Sequence, residues 1–217
     1  MNEKLREFQD YISSLVFFDP ACGSGNFLTE TYLSLRRLEN EALDIMSHGM
    51  MMLEFEDTIK VSIQQFYGIE INDFAVTVAK TALWIAESQM MKETEVIAHI
   101  NLDFLPLKSY ANIVEGNALR LDWEDVVAKD ELDYIMGNPP FVGYSWQNKG
   151  QKEDILSIYV DEKGKPYKTA GKIDYVAGWY FKAAKFMVET KIRTAFVSTN
   201  SITQGEQVAG VWKPLYE

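Results

Sequence analysis

The sequence predicts an α/β fold with a doubly wound, mainly parallel sheet, and three observations lead to this prediction. Short apolar runs with the composition of buried strands alternate with longer segments whose apolar residues recur at helical spacing. A glycine turn joins the first apolar run to the first long helical segment. Polar residues collect where the apolar runs end. Such alternation is typical of parallel sheets with helices on both faces, whose ligands bind at the carboxyl ends of the strands.

The first strand–helix unit occupies the amino-terminal part of the chain. Apolar spacing predicts a helix at residues 5–14, and the run Leu-Val-Phe-Phe at residues 15–18 predicts a buried strand. Residues 19–26 contain two glycines and one proline and predict a tight turn, after which apolar spacing predicts a helix at residues 27–38. Residues 39–60 are polar and rich in methionine, which indicates a connection with weak helical character.

The middle of the chain predicts a second and a third strand. Residues 66–70 form an apolar run, and residues 73–90 have strong helical spacing, with Asn72 or Asp73 as the helix cap. A short strand is predicted at residues 113–115, and a short helix at residues 123–128.

Two further strands are predicted in the carboxyl-terminal part. Residues 132–136 form the fourth strand, and residues 193–198 form the fifth. A helix is predicted between them at residues 173–189, and another begins at residue 204. Residues 142–171 are polar and long for a connection, which predicts a functional loop or a poorly ordered segment.

Composition narrows the class of protein. A length of 217 residues fits one domain, and no apolar stretch approaches the ~18 residues of a membrane span. One cysteine excludes an internal disulfide, which favours the cytoplasm, and together with His48 and His99 it suggests no metal cluster. The net charge of −11 is unusual for a nucleic-acid binder, but residues 145–193 carry 10 Lys and Arg against 6 Asp and Glu. This stretch is either a surface for a polyanion or a solvated loop.

The most informative segment follows the fourth strand. Two successive prolines cannot donate to a sheet ladder, so the strand must end at Gly137-Asn138. Pro139 also favours an extended conformation for Asn138. The resulting stiff turn holds an amide, bare carbonyls and the Phe141 ring close together, which suits a planar aromatic acceptor with an amino group. The alternative is a structural turn with a core phenylalanine.

The other strand ends form a second pattern. Gly23-x-Gly25 follows the first strand but lacks the third glycine of a dinucleotide fingerprint, since Leu28 holds that position. Glu70 ends the second strand, where an acid can accept both ribose hydroxyls, although it can also cap the next helix. Asn117 follows the third strand and suits an adenine, or simply a turn. A ribose and an adenine without a diphosphate indicate S-adenosylmethionine rather than NAD, with Asp19 beside its positive end.

Together these segments resemble the amino-methylating class of S-adenosylmethionine-dependent DNA methyltransferases. Their order, cofactor motif first, is the gamma-type order of the N6-adenine enzymes. The matching segments are residues 18–28, 67–70, 115–119 and 133–141. Residues 174–180 and 198–207 further resemble the methyltransferase part of type IIG and IIL restriction–modification enzymes. The resemblance implies a Rossmann-like methyltransferase sheet that transfers a methyl group to the N6 amino group of adenine in DNA.

The resemblance also assigns roles to individual residues. Asn138 and the Pro139 carbonyl would hold the target amine in the turn that Pro140 stiffens, and Phe141 would stack on a flipped adenine of double-stranded DNA. Ile71 would pack on the cofactor adenine, and Glu70 would hold the ribose. The remaining cofactor residues are Asp19 near the methionine amino group, the turn residues Ala21, Cys22, Gly23 and Gly25, and Asn117 with Ala118 at the adenine. Many relatives carry aspartate where this sequence has Asn117, and tyrosine where it has Phe141.

Two departures from the family concern the ends of the chain. Few residues precede Asp19, where relatives have a segment that closes over the methionine end, and the last two strands of the seven-stranded sheet have no room after Glu217. We therefore expect residues 1–217 to be a partial catalytic domain, without target-recognition or nuclease domains, that works with other domains of a longer polypeptide and without a membrane. Alone it is expected to be an incomplete enzyme.

Other functions remain open at this level. The same turn would serve methylation of a protein glutamine or of RNA adenine, and the chain could instead be a cofactor-binding fragment without turnover. A nicotinamide oxidoreductase is a more distant alternative.

Overall fold

A parallel sheet forms the centre of the protein. The computed structural model describes residues 2–47, 59–98 and 111–216. Within these ranges the sheet has five strands in the order β3-β2-β1-β4-β5, and every neighbouring pair is parallel. The strands are β1 (Phe17–Asp19), β2 (Phe66–Glu70), β3 (Asn112–Glu115), β4 (Tyr134–Gly137) and β5 (Arg193–Phe196). The predicted α/β class and parallel sheet are confirmed.

Helices cover both faces of the sheet, as the doubly wound prediction requires. They are α1 (Asn2–Ser14), α2 (Asn26–Ser47), α3 (Asp73–Ala98), α4 (Lys149–Ile158), α5 (Ala177–Phe186) and α6 (Gly205–Tyr216). Buried residues of α1, α2 and α3 share one hydrophobic cluster with one face of the sheet, and those of α4, α5 and α6 share another with the opposite face. None of the described helices combines the length and the apolar composition needed to cross a membrane.

Strand β1 shows why two faces are buried. Successive strand side chains point to opposite faces. Phe17 stacks on Phe66, with ring centroids 5.2 Å apart, in the cluster below α2 and α3. Phe18 points the other way and meets Trp123 edge-on, with centroids 5.1 Å apart. A strand apolar at consecutive positions is the signature of a sheet covered on both sides.

Helix α2 is longer than its apolar spacing predicted, since it continues from residue 38 to Ser47. The extension buries the apolar residues Ala42, Leu43 and Met46, but buried polar groups interrupt the apolar stripe before it reaches them. Arg36 donates to Glu39 and also to the Thr94 hydroxyl of α3, at 2.8 Å. The Glu39 carboxylate accepts the backbone N–H of Lys60, at 2.7 Å. Because paired charged groups fill these interior positions, apolar periodicity alone ends the helix too early.

The stretch 142–171, predicted to be a functional loop or poorly ordered, contains helix α4. Its start is fixed by a capping box, in which Asn148 accepts the Gln151 N–H (2.9 Å) and the Gln151 side chain accepts the Asn148 N–H (3.0 Å). Its buried face carries Asp154 and Ile155. Helix α3 starts where predicted but continues eight residues beyond residue 90, to Ala98. Residues 123–128 form only a 3-10 turn at Trp123–Asp125, and the remaining helix predictions agree to within about four residues. His48, His99 and the methionines at positions 50–52 lie outside the described residues.

The strand order places a switch point at β1, whose neighbours are β2 on one side and β4 on the other. From β1 the chain adds β2 and β3 on one side of the sheet, and it then crosses back to add β4 and β5 on the other side of β1. In such sheets a crevice opens at the carboxyl ends of the strands. The four predicted strand-end motifs lie at this edge.

Candidate functional site

A cavity of about 710 Å³ opens at the carboxyl edge of the sheet. This size suits a small-molecule cofactor, since such sites typically enclose ~300–1,000 Å³. Its wall brings together several of the predicted residues. They are Ala21 after β1, Glu70 and Ile71 at the end of β2, Asn117 and Ala118 after β3, and Asn138 and Pro140 after β4.

Glu70 ties the end of β2 to the glycine turn. Its Oε2 atom accepts the Gly23 N–H at 3.0 Å, and its Oε1 atom accepts the Asn72 N–H at 3.0 Å. The helix-capping alternative is thus partly realised, although the side chain of Asn72 itself accepts the Ala75 N–H inside α3, at 3.1 Å. Each carboxylate oxygen has two lone pairs. Glu70 is therefore held in place by the backbone while it keeps acceptor capacity towards the cavity.

The glycine turn after β1 packs behind the residues that line the cavity. Gly25 has φ +83°, and a Cβ atom there would lie 3.0 Å from the Ala79 Cβ atom on α3. Only glycine allows both this backbone conformation and this approach. Cys22 is buried and donates its N–H to the Ile69 carbonyl at 3.1 Å. Cys22, Gly23 and Gly25 are not among the residues of the cavity wall that the structure describes.

Asp19 is buried beside the first turn. Its Oδ1 atom accepts the Ala21 N–H at 2.9 Å. Burial raises the pKa of Asp19 to about 7, the Ala21 hydrogen bond partly opposes this, and the nearby Glu70 carboxylate adds to the increase. Gly137, with φ +155°, packs directly against this carboxyl group, since a Cβ atom there would lie 2.3 Å from Asp19 Oδ1. The end of β4 can approach β1 this closely only because residue 137 lacks a side chain.

The Asn138 turn projects from β4 towards solvent. Asn138 and Pro140 line the cavity, while Pro139 is buried beneath them. The Phe141 ring is 45% exposed, which excludes the alternative of a core phenylalanine. The chain beyond is tied to the segment before α5, because the Val142 carbonyl accepts the Tyr175 N–H at 2.9 Å.

The Asn117 side chain makes hydrogen bonds within the protein that the sequence did not suggest. Its Oδ1 atom accepts the Leu119 N–H at 2.9 Å, and its Nδ2 atom donates to Asp154 Oδ2 at 3.0 Å. Asp154 belongs to α4, is almost fully buried and also lines the cavity. Sequence reasoning missed Asp154, because it lies in a polar stretch without any motif. The capping box at Asn148 was the available signal that a helix begins there.

Two aromatic residues complete the wall. Trp179 of α5 donates its indole N–H to the Pro20 carbonyl at 3.0 Å. Tyr175 meets Trp179 edge-on, with ring centroids 5.2 Å apart. Both lie in a segment whose family resemblance was noted, but only their packing shows that they face the cavity. Beyond the turn, Tyr144 and Trp146 are exposed.

The comparisons agree with one another over the whole chain. The model of the family described as "MmeI, DNA-methyltransferase domain" matches residues 1–217. The chain is 44% identical over 218 residues to DNA methyltransferase A of Bacillus subtilis (strain 168), covering 99% of this chain and 24% of the relative. A structure of the type IIL restriction–modification enzyme MmeI in complex with DNA matches with a TM-score of 0.92 and 44% identity, covering 99% of this chain and 28% of that one.

More distant structures share the fold. The type ISP restriction–modification enzyme LlaGI, solved as a nuclease-deletion mutant with a DNA substrate mimic, matches with a TM-score of 0.54 at 16% identity, over 92% of this chain and 17% of that one. The sequence spans about a quarter of the length of the relatives that resemble it at 44% identity.

Proposed function

Because this chain belongs to the family of MmeI DNA-methyltransferase domains, we propose that it transfers a methyl group from S-adenosylmethionine to the N6 amino group of adenine in DNA, as the methyltransferase part of a restriction–modification enzyme. One observation carries the proposal. The Asn138 turn opens onto the same cavity as Glu70 and Asn117. Groups that could bind the target amine and groups that could bind the adenosyl part of the cofactor therefore line the same cavity.

The cavity fits this cofactor in its chemistry. Glu70 offers carboxylate oxygens for ribose hydroxyls, Ile71 offers an apolar side chain that is 66% exposed, and Asn117 offers an amide for the adenine. Asp19 is buried beside the Ala21 end of the turn and is not among the described residues of the cavity wall, and in its charged form it would attract the ammonium of the methionine part. The bound sulfonium supplies an activated methyl group.

The protein's own contribution is to hold the target amine. The Asn138 side-chain oxygen and the Pro139 carbonyl accept its two hydrogens, which favours a pyramidal nitrogen whose lone pair is directed away from the ring. The two prolines keep these acceptors fixed, so they need no reorganisation during the reaction. No general base with a tuned pKa is required, because the amine gains its nucleophilicity when its lone pair leaves conjugation with the purine ring. The C–S bonding electrons stay on the departing neutral thioether, and the methylated amine loses one N6 proton to solvent.

The DNA substrate must offer its base outside the duplex. Flipping costs a few kcal/mol, and stacking on the exposed Phe141 ring returns ~1–3 kcal/mol. The exposed aromatics Tyr144 and Trp146 lie beside the turn at the start of the basic stretch 145–193 and would contact the DNA strand. We also propose a cytoplasmic location, which is consistent with a double-stranded DNA partner.

The test is a transfer assay with radiolabelled cofactor and the full-length polypeptide that carries this sequence. We expect methylation of duplex DNA, with the label on adenine N6 by mass spectrometry, and none of RNA or protein. Asn138→Ala should abolish transfer and leave cofactor affinity largely intact. Asn112→Ala is the matched control, because Asn112 lies at the amino end of β3, away from the cavity, and its side chain donates to the Gln64 carbonyl and to no other described residue. Equal loss in both variants, or a preference for RNA or protein, would contradict the proposal.

A further inference from the structure

The carboxylate of Asp154 is the centre of a hydrogen-bond cluster in the cavity wall. It accepts three donors, two from the turn after β3 and one from the segment before α5. Asn117 Nδ2 lies 3.0 Å away, Arg120 Nε lies 2.6 Å away, and the Tyr175 hydroxyl lies 2.8 Å away. The Asp154 side chain is only 4% exposed. A buried carboxylate with this many donors is held rigidly by its partners.

The cluster also keeps Asp154 charged. Burial alone would raise the pKa of this carboxyl group, but the hydrogen bonds from Asn117, Arg120 and Tyr175 outweigh burial and leave the pKa below its ordinary value. Asp154 is therefore an acceptor, not a donor, at neutral pH.

This carboxylate fixes which way the Asn117 amide faces. In the observed orientation the amide oxygen meets the Leu119 N–H, and the amide nitrogen meets Asp154. Turning the amide over would bring its oxygen against a carboxylate and its nitrogen against an N–H donor, so both contacts would become repulsive. An amide nitrogen has two N–H groups, and among the described residues one of them is engaged, with Asp154.

At the end of β3, the Asn117 amide thus offers an N–H donor to the cavity, where an aspartate would offer only an acceptor. We propose that Asp154 is a positioning residue for cofactor selectivity: it holds Asn117 as a hydrogen-bond donor to a ring nitrogen of the cofactor's purine. This inference rests on the proposed function, since it concerns the adenine of the same cofactor. A donor suits N1 of adenine, which is a bare acceptor. It opposes hypoxanthine, whose N1 carries a hydrogen.

The experiment exchanges the two side chains. In Asn117→Asp with Asp154→Asn, position 117 becomes a carboxylate that can still accept the Leu119 N–H, and position 154 becomes the amide donor towards it. The pair stays complementary, but the donor towards the cavity is lost. Affinities for S-adenosylhomocysteine and S-inosylhomocysteine would be measured by calorimetry with the full chain, and the quantity of interest is their ratio.

We expect the parent to bind S-adenosylhomocysteine more tightly than S-inosylhomocysteine. In the exchange variant the ratio of these two affinities should fall about tenfold, which is the effect of losing one hydrogen bond. Asp154→Asn alone should also lower the ratio, because the amide at position 117 is then free to turn over. Glu153→Gln is the matched control, since Glu153 is the preceding residue of α4 and its side chain is 57% exposed. It should leave the ratio unchanged.

The outcomes separate the two proposals. An unchanged ratio in the exchange variant, with both compounds still bound, would overturn the role of Asp154 and leave the proposed function standing. A ratio that falls equally in Glu153→Gln would overturn it too. A parent chain that binds neither compound would overturn the proposed function together with this inference.

Discussion

The substitution Asp19→Asn should make the folded protein more stable at neutral and alkaline pH. Asp19 is 1% exposed, and burial raises the pKa of its carboxyl group from 3.8 to about 7. An asparagine keeps the oxygen that accepts the Ala21 N–H but never acquires the buried negative charge. The cost of that charge, partly caused by the neighbouring Glu70, then disappears.

The size and sign of the effect follow from the two pKa values. As pH rises, the unfolded chain loses the Asp19 proton near pH 3.8, but the folded protein loses it only near about 7. Between these values the unfolded state is increasingly favoured, so the free energy of unfolding of the parent falls. A pKa difference of about three corresponds to at most roughly 4 kcal/mol. Above about pH 7 the free energy of unfolding of the parent has fallen by this full amount.

Urea denaturation at about pH 5 and about pH 8 measures this effect. The difference in unfolding free energy between Asp19→Asn and the parent should grow by roughly 3 kcal/mol from the lower to the higher pH. Other titrating groups are common to both proteins and cancel. Asp130→Asn, at an exposed position, should show no such growth. If the Asp19 difference changes by less than ~1 kcal/mol, the carboxyl group is not held neutral and the reasoning fails.

Three further substitutions test the turns and the stacking ring. Gly137→Ala would place a Cβ atom 2.3 Å from the Asp19 carboxylate, and we expect it to lower the free energy of unfolding by about 1–3 kcal/mol, measured by urea denaturation. Gly25→Ala, where φ is +83°, should cost a similar amount; Gly171→Ala is its control, with open space around the new atom, and equal effects would refute the explanation. Phe141→Ala should slow methyl transfer about ten- to hundredfold through lost stacking, with an unchanged melting temperature, whereas Phe141→Tyr should retain activity.

Much of the fold was readable from the sequence because its signals are local. The apolar run before Gly137 and the two prolines after Asn138 end β4 within one residue of the predicted position. The start of the helix after Asn72 was also predicted correctly, although the helix ends at Ala98 rather than at residue 90. The early end predicted for α2 has an identifiable cause. Helix α2 runs past residue 38 because Arg36 and Glu39 are buried as a pair, and polar side chains in the interior leave no trace in apolar periodicity.

In the candidate site, too, some residues could be predicted from local sequence signals and others only from tertiary packing. Glu70, Asn117 and Asn138 each follow a strand, so parallel strand order alone predicts that they meet at one edge, and in the structure all three line one cavity. No motif in the sequence marked Asp154 itself, since the capping residues Asn148 and Gln151 indicate only where its helix begins. It lies 37 residues from Asn117 in a stretch without a motif, and only the packing of α4 brings the two side chains together.

The sequence by itself determined the class of fold, the family and the edge of the sheet where the chemistry should take place. Periodicity, glycine turns and proline restrictions act over a few residues, so they can be read along the chain. The tertiary structure alone decided the protonation of Asp19 and the orientation of the Asn117 amide. Both depend on which distant groups exclude water from a side chain or donate to it, and these contacts exist only once the helices have packed on the sheet.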